Sequence, residues 1–169
     1  MPLESFNIGS VEITWDYGGT PQILTPEFGG VSVNITSSEA NVMRGGHGNT
    51  PVDQVPQGIN ATMTFNLSEP TKERLAIFLG ATLDVDEVHF KNVVGCSIRE
   101  LSKAVMLKPI CNGVATTDMA LWRYFPLVSP PKVRSTEVFN DEGQIVYAVE
   151  CQAFPDDNND VYVIGQNTV

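Results

Sequence analysis

From Val31 the chain alternates strictly, with Val31, Val33 and Ile35 on one side and Ser32, Asn34 and Thr36 on the other. After a glycine-rich stretch the pattern returns, with Ile59, Ala61, Met63, Phe65 and Leu67 set against Asn60, Thr62, Thr64 and Asn66. A period of two residues specifies strands that bury one face and offer the other to water. The wet face constrains the fold further. It carries only small, uncharged Ser, Thr and Asn, where a free surface strand normally carries Lys, Glu and Arg. A surface that must stay hydrated yet grip nothing has this composition, and so does the inner wall of a tube.

Between the two strands, residues 43–58 hold glycines, prolines and no sustained period, which predicts a long inter-strand loop. Unstructured loops of that length are usually functional or disordered. After Leu67 the period switches to that of a helix. Ser68 is the expected N-cap, Glu69 suits the positive end, Pro70 fits the first turn, and Leu75, Phe78 and Leu79 recur at helical spacing before Gly80. The remaining segments read as strands. Val11, Ile13, Trp15 and Tyr17 alternate ahead of Gly18-Gly19, and further strands are predicted over 87–94, 103–110, 121–128 and 134–139. A last pair, 145–154 and 161–164, is expected to be a hairpin joined through residues 155–160, with Asp141-Glu142-Gly143 as another turn. The pattern predicts one mainly β domain over residues 1–169, with one short flanking α-helix.

Composition excludes several classes. A chain of 169 residues builds a core without disulfides or metal, and 42% hydrophobic content with 18% charged residues is too apolar for disorder. Formal net charge is -10, which disfavours groove-reading or single-strand binding of nucleic acid while permitting passive contact with DNA. No apolar run approaches the roughly 20 residues that span a bilayer, and residues 1–9 lack the features of a secretory signal. Cys96, Cys111 and Cys151 are widely spaced and read as free thiols. The N-x-[ST] triplets at Asn34, Asn60 and Asn66 lie on predicted strands and read as by-products of the polar face.

Catalytic and metal-binding patterns fail on inspection. His47 and His89 are the only histidines, one in the loop and one on a strand, and pairing His47 with Asp53 gives a weak ligand set. Asp156, Asn158 and Asp160 imitate the start of a calcium loop, but Val161 stands where glycine is needed and Asn167 where the bidentate glutamate belongs. Gly45-Gly46-His47-Gly48 lacks a following Gly-Lys-[Ser/Thr], so it is no phosphate cradle. Cys151 aligns with Tyr147 and Val149 as a small core residue. Trp122, Tyr124 and Phe125 read as core or interface packing. The expectation is a non-enzyme with neither cofactor nor metal.

In its order of parts, the chain resembles the tail tube, or major tail, proteins of tailed bacteriophages. The resemblance rests on the strand after Gly29-Gly30 ending near Ser38-Glu39, then the loop carrying Gly48-Asn49-Thr50-Pro51-Val52-Asp53. It continues with the strand 58–67 running into the helix, and with Phe125-Pro126, Ala153-Phe154-Pro155-Asp156-Asp157 and residues 161–165 as a terminal hairpin. It implies a β-sandwich or partial barrel, six copies to a ring, strands lent to one inner barrel, and rings stacked into a conduit for DNA ejection. The expected partners are copies of the same chain, other tail proteins and DNA in transit, with no membrane. The expected location is the virion tail, assembled in the host cytoplasm. On this reading Ser32, Asn34, Thr36, Asn60, Thr62, Thr64 and Asn66 face the lumen. Gly45, Gly46, His47, Gly48, Asn49, Thr50, Pro51, Val52, Asp53 and Val55 form the inter-subunit or ring-stacking loop. Another tail component of the same fold, such as a baseplate hub, completion or neck protein, and a monomeric β-sandwich binding module remain as alternatives.

Overall fold

The computed structural model of the chain describes residues 10–24, 28–46, 50–68, 71–73, 76, 82–85, 87–89, 94–95, 97–130, 132–133 and 146–165. Its strands, in chain order, are β1 (Val11–Trp15), β2 (Gln22–Leu24), β3 (Phe28–Val42), β4 (Asp53–Ser68), β5 (Thr82–Asp84) and β6 (Glu87–His89). Then follow β7 (Lys103–Cys111), β8 (Val114–Ala115), β9 (Arg123–Val128), β10 (Lys132–Val133), β11 (Val146–Phe154) and β12 (Val163–Ile164). The fold is mainly β, and every strand pair is antiparallel.

The main sheet runs β2-β1-β7-β9-β11-β4-β3, with β10 beside β11, β12 beside β9 and β8 beside β7. β11 joins its two halves. Residues from Val146 to Gln152 pair with β4, whereas Ala153 and Phe154 pair with Val128 and Leu127 of β9. One apolar core serves both halves: Ile13, Trp15, Val105, Leu107 and Phe125 from one, and Ala61, Met63, Phe65, Val149 and Cys151 from the other. Alternation along each strand supplies these side chains to the shared interior. On the opposite face of β1 and β7, Thr14 and Met106 are buried as well, so this part of the sheet is dry on both sides.

The β3–β4 hairpin departs most from the expectation. Pairing runs from Phe28↔Asn66 out to Val42↔Asp53, so residues 53–58 are strand and the connecting loop shrinks to 43–52. The predicted loop over 43–58 is therefore corrected: its residues 53–58 belong to the outer half of a long two-stranded ribbon, and only 43–52 connect the strands. Two local features disguised it. Pro56 lacks a ladder donor, which strands tolerate at edges and bulges. A β-bulge also breaks the register, because Ser38 faces Gly58 while Glu39 faces Pro56, leaving Gln57 extra. Gly58 has φ of 131°, a conformation that a side chain disfavours.

Other differences have equally local causes. β1 ends at Trp15, two residues early, because Asp16 turns with φ of 57° and its carboxylate accepts from Thr20 N and pairs with Lys103 Nζ. The expected hairpin between 145–154 and 161–164 does not form; β12 pairs with β9 instead. The chain turns there on Asp156, whose Oδ1 accepts from the backbone N–H of Asn158 and Asp160 at 2.8 Å each. Helical conformation begins at Lys72, after Thr71, while Ser68 ends β4, so Thr71 takes the capping position assigned to Ser68. Hydrogen bonds from its own backbone and from the Thr71 side chain hold the Glu73 carboxyl below its ordinary pKa. The apolar stripe Leu75, Phe78 and Leu79, the strand expected over 134–139 and the turn at Asp141-Glu142-Gly143 lie outside the described residues. β7 and β8 form a two-residue hairpin through Asn112 and Gly113, both with positive φ, which is the Asn-Gly type I′ signal.

This architecture separates positions that set stability from those that do not. Phe125→Ala and Met63→Ala empty the shared core and should each cost about 2–5 kcal/mol in urea unfolding. Val55→Ala, on the exposed ribbon, should stay within about 0.5 kcal/mol. A Val55→Ala cost equal to that of the core changes would mean that the ribbon packs onto its own chain.

Candidate functional site

The polar positions read from the sequence come together in register. Ser32 lies opposite Thr64, Asn34 opposite Thr62 and Thr36 opposite Asn60, so six of the seven share one face of the hairpin. Asn66 pairs with Phe28 across an irregularity at the inner end and with Ala148 of β11. Because β11 pairs with β4, Gln152 stands beside Thr62 and Glu150 beside Thr64, extending the face by a third strand. β10 adds a fourth, with Lys132 opposite Glu150. The alternation of β3 and β4 alone missed Gln152 and Glu150, since only tertiary pairing brings β11 alongside.

Hydrogen bonding on this face is internal and sparse. Thr36 Oγ1 donates to the Asn60 carbonyl at 3.4 Å, and Gln152 Nε2 donates to Asn60 Oδ1 at 3.3 Å. Ser32, Asn34, Thr36, Asn60 and Thr64 are exposed, whereas Thr62 and Asn66 are half-buried. The face is thus wet, neutral along β3 and β4, and bordered by the carboxylate of Glu150. It provides many weak hydrogen-bonding groups to water, and its β3 and β4 rows hold no cation for a phosphate.

Beyond the bulge the ribbon reverses its polarity. On β3 the even positions are polar up to Ser38, then become Ala40 and Val42; the odd positions become Glu39 and Asn41. Register puts Val55 opposite Ala40 and Asp53 opposite Val42, so Ala40, Val42, Val55 and Asp53 share one side. The other side is polar, and Gln54 Nε2 donates to Asn41 Oδ1 at 3.0 Å. Met43, Val52 and Val55 are exposed near the tip, as are Ile35 and Ile59 at the base. Of the predicted loop residues, Asp53 and Val55 belong to β4, Gly45 and Gly46 form a turn, and Thr50, Pro51 and Val52 are exposed. His47, Gly48 and Asn49 lie outside the described residues.

The other candidates resolve into structural roles. His89 pairs with Glu87 at 3.1 Å across an exposed surface. Asp157 meets Arg99 at 3.3 Å, and Asp156 Oδ1 is occupied by backbone donors. Among the described residues, no three His, Cys, Asp or Glu side chains cluster as metal ligands, and no helix is long and apolar enough to cross a membrane. Phe125 is fully buried against Tyr162, with ring centroids 4.7 Å apart. Trp122 anchors its indole N–H on the Thr116 carbonyl at 2.9 Å and carries the Lys108 ammonium 4.6 Å from its ring centroid. Neither ring is free to stack a base.

No protein-family model and no curated protein sequence matches the chain.

Burial, reinforced by the Glu150 charge, pushes the Cys151 thiol from its ordinary 9.0 up to about 12, while Cys111 is exposed. A thiol reagent at pH 8 should therefore modify Cys111 in the folded protein and spare Cys151 until denaturant is added, as peptide mapping would read. Since folding raises the Cys151 pKa, its stabilising contribution holds below pH 9.0 and is lost as pH climbs towards about 12. Rapid labelling of Cys151 in the native protein would contradict its place in the core.

Proposed function

We propose that the chain is the repeating subunit of a bacteriophage tail tube, a structural protein of the virion and not an enzyme. Copies join into six-membered rings, the rings stack, and DNA passes through the channel during ejection without specific binding. The observation that carries this reading is the four-stranded polar face formed by β10, β11, β4 and β3, whose hairpin rows are uncharged. A channel wall built from its β3 and β4 rows holds a water layer and denies DNA an ion-pair anchor along those rows, while the charges of the face, Glu150 and Lys132 opposite it, stand at the border.

Two further features favour assembly. Among the described residues β3 pairs only with β4, so its outer edge has no strand partner there along 15 residues. Long open edges invite pairing with another chain, and closure into a shared barrel removes them. The outer ribbon, exposed on both faces, is a two-stranded element of a kind that is marginal alone in water. Docking on a neighbouring copy gives it a partner, which suits an inter-subunit or ring-stacking arm. The shared core of both sheet halves fits a sandwich or partial barrel closed behind the channel wall. Another tail component of the same fold shares these features and differs in copy number.

Size-exclusion chromatography and negative-stain imaging should find rings or tubes for the intact chain. Replacing residues 39–57 by an Asn-Gly turn joins Ser38 to Gly58 across an existing pair, and should leave the domain folded but unable to polymerise. Tubes from that variant would remove the ribbon from assembly. Asn34→Lys or Thr62→Lys adds six cations per six-membered ring, and each phosphate neutralised releases counterions. Such tubes should assemble yet slow DNA passage, most strongly at low salt. Normal ejection at low salt would argue against the lumen assignment.

A further inference from the structure

The ribbon's apolar face and its acid have a counterpart on the same chain. Two adjoining hollows of about 220 and 580 Å³ share Ile35 and Tyr162, forming one groove at the ribbon's base. Val31 and Val33 of β3 and Leu107 and Pro109 of β7 wall the smaller hollow, and Arg123 joins its lining. The guanidinium is half-buried. Its Nη1 donates to the carbonyls of Leu121 and Trp122 at 3.1 and 3.3 Å, and it hydrogen-bonds the Tyr162 hydroxyl. Among the described residues, no carboxylate lies within ion-pairing distance of it. A partly desolvated cation in an apolar groove is costly until an anion reaches it.

We propose that this groove receives the ribbon of a second copy, with Val42 and Val55 filling the smaller hollow and Asp53 pairing with Arg123. The match is chemical on both sides. Asp53 stands on the same side of the ribbon as Val42 and Val55, just as Arg123 stands among the aliphatic residues of the groove. Aliphatic contact supplies affinity, and the guanidinium–carboxylate pair, which favours a planar two-point geometry, fixes the register. Ribbon and groove are different surfaces of one chain, so the contact is heterologous and propagates into rings or filaments. The inference rests on the reading of the ribbon as an assembly arm and adds where the arm seats.

The test is a charge-reversal cycle on the full chain, read as the protein concentration needed for assembly by light scattering and imaging. Asp53→Arg and Arg123→Glu should each raise that concentration about tenfold or more, and the double variant should recover most of the loss. Val55→Asp, on the exposed ribbon, should block assembly while its circular dichroism and melting stay those of the parent. If Arg123→Glu fails to fold, Arg123→Gln keeps a donor for the two carbonyls, removes the charge, and should still weaken assembly. Failure of the double variant to recover, or normal assembly of Asp53→Arg, Val55→Asp or Arg123→Gln, overturns the groove. If those variants assemble while the chain lacking residues 39–57 does not, the ribbon seats elsewhere and its role as an arm stands. If the ribbonless chain also assembles, the arm reading falls together with the groove.

Discussion

The β3–β4 ladder is the interaction on which the rest depends. It holds thirteen residue pairs across one hairpin. β4 is flanked on its other edge by β11, so its inward residues Ala61, Met63 and Phe65 sit inside the shared core, all three buried. The same strand presents Asn60, Thr62 and Thr64 to the opposite side. A one-residue slip would exchange those faces, placing threonines in the core and Met63 and Phe65 in water. Core and polar wall are therefore two sides of one register, and neither is free to change alone.

The bulge opposite Ser38 marks where that logic ends. Inside it, the ribbon is pinned by the core; outside it, both strands run on with no further strand of the described residues against them, and the apolar positions change sides. A ribbon that only decorated a surface would have no need of an apolar side. Reversal at a defined point is consistent with two environments, one inside the domain and one between copies. In the proposed assembly net negative charge has a complementary effect, since like-charged copies would repel until specific contacts, such as the proposed pairing of Asp53 with Arg123, were made.

The inner ladder was legible because alternation is a local signal, and the two strands it predicts pair with each other along their polar rows. The outer ribbon was not, because Pro56 and Gly58 carry the marks of a loop and the polarity reversal at Ser37–Ser38 breaks a simple alternating template. A shifted pattern, Ala40 and Val42 against Glu39 and Asn41, was nevertheless present. Proximity in sequence favours a hairpin between β11 and β12, whereas the Asp156 turn sends the chain to β9. The Asn112-Gly113 turn carried its signal in plain view. Glu150 and Gln152 belong to the polar face only through long-range pairing, which no short window of sequence contains.

On the proposed function, copies of the chain close around a channel walled by the polar face. A cryo-electron microscopy reconstruction of the assembled protein tests it most directly. The expected result is a hollow ring or tube with β3 of one copy beside β10 or β11 of the next, and with Asn34, Thr62 and Thr64 lining the bore. A reconstruction with those side chains on the outer wall, or a protein that stays monomeric at every concentration, would contradict it.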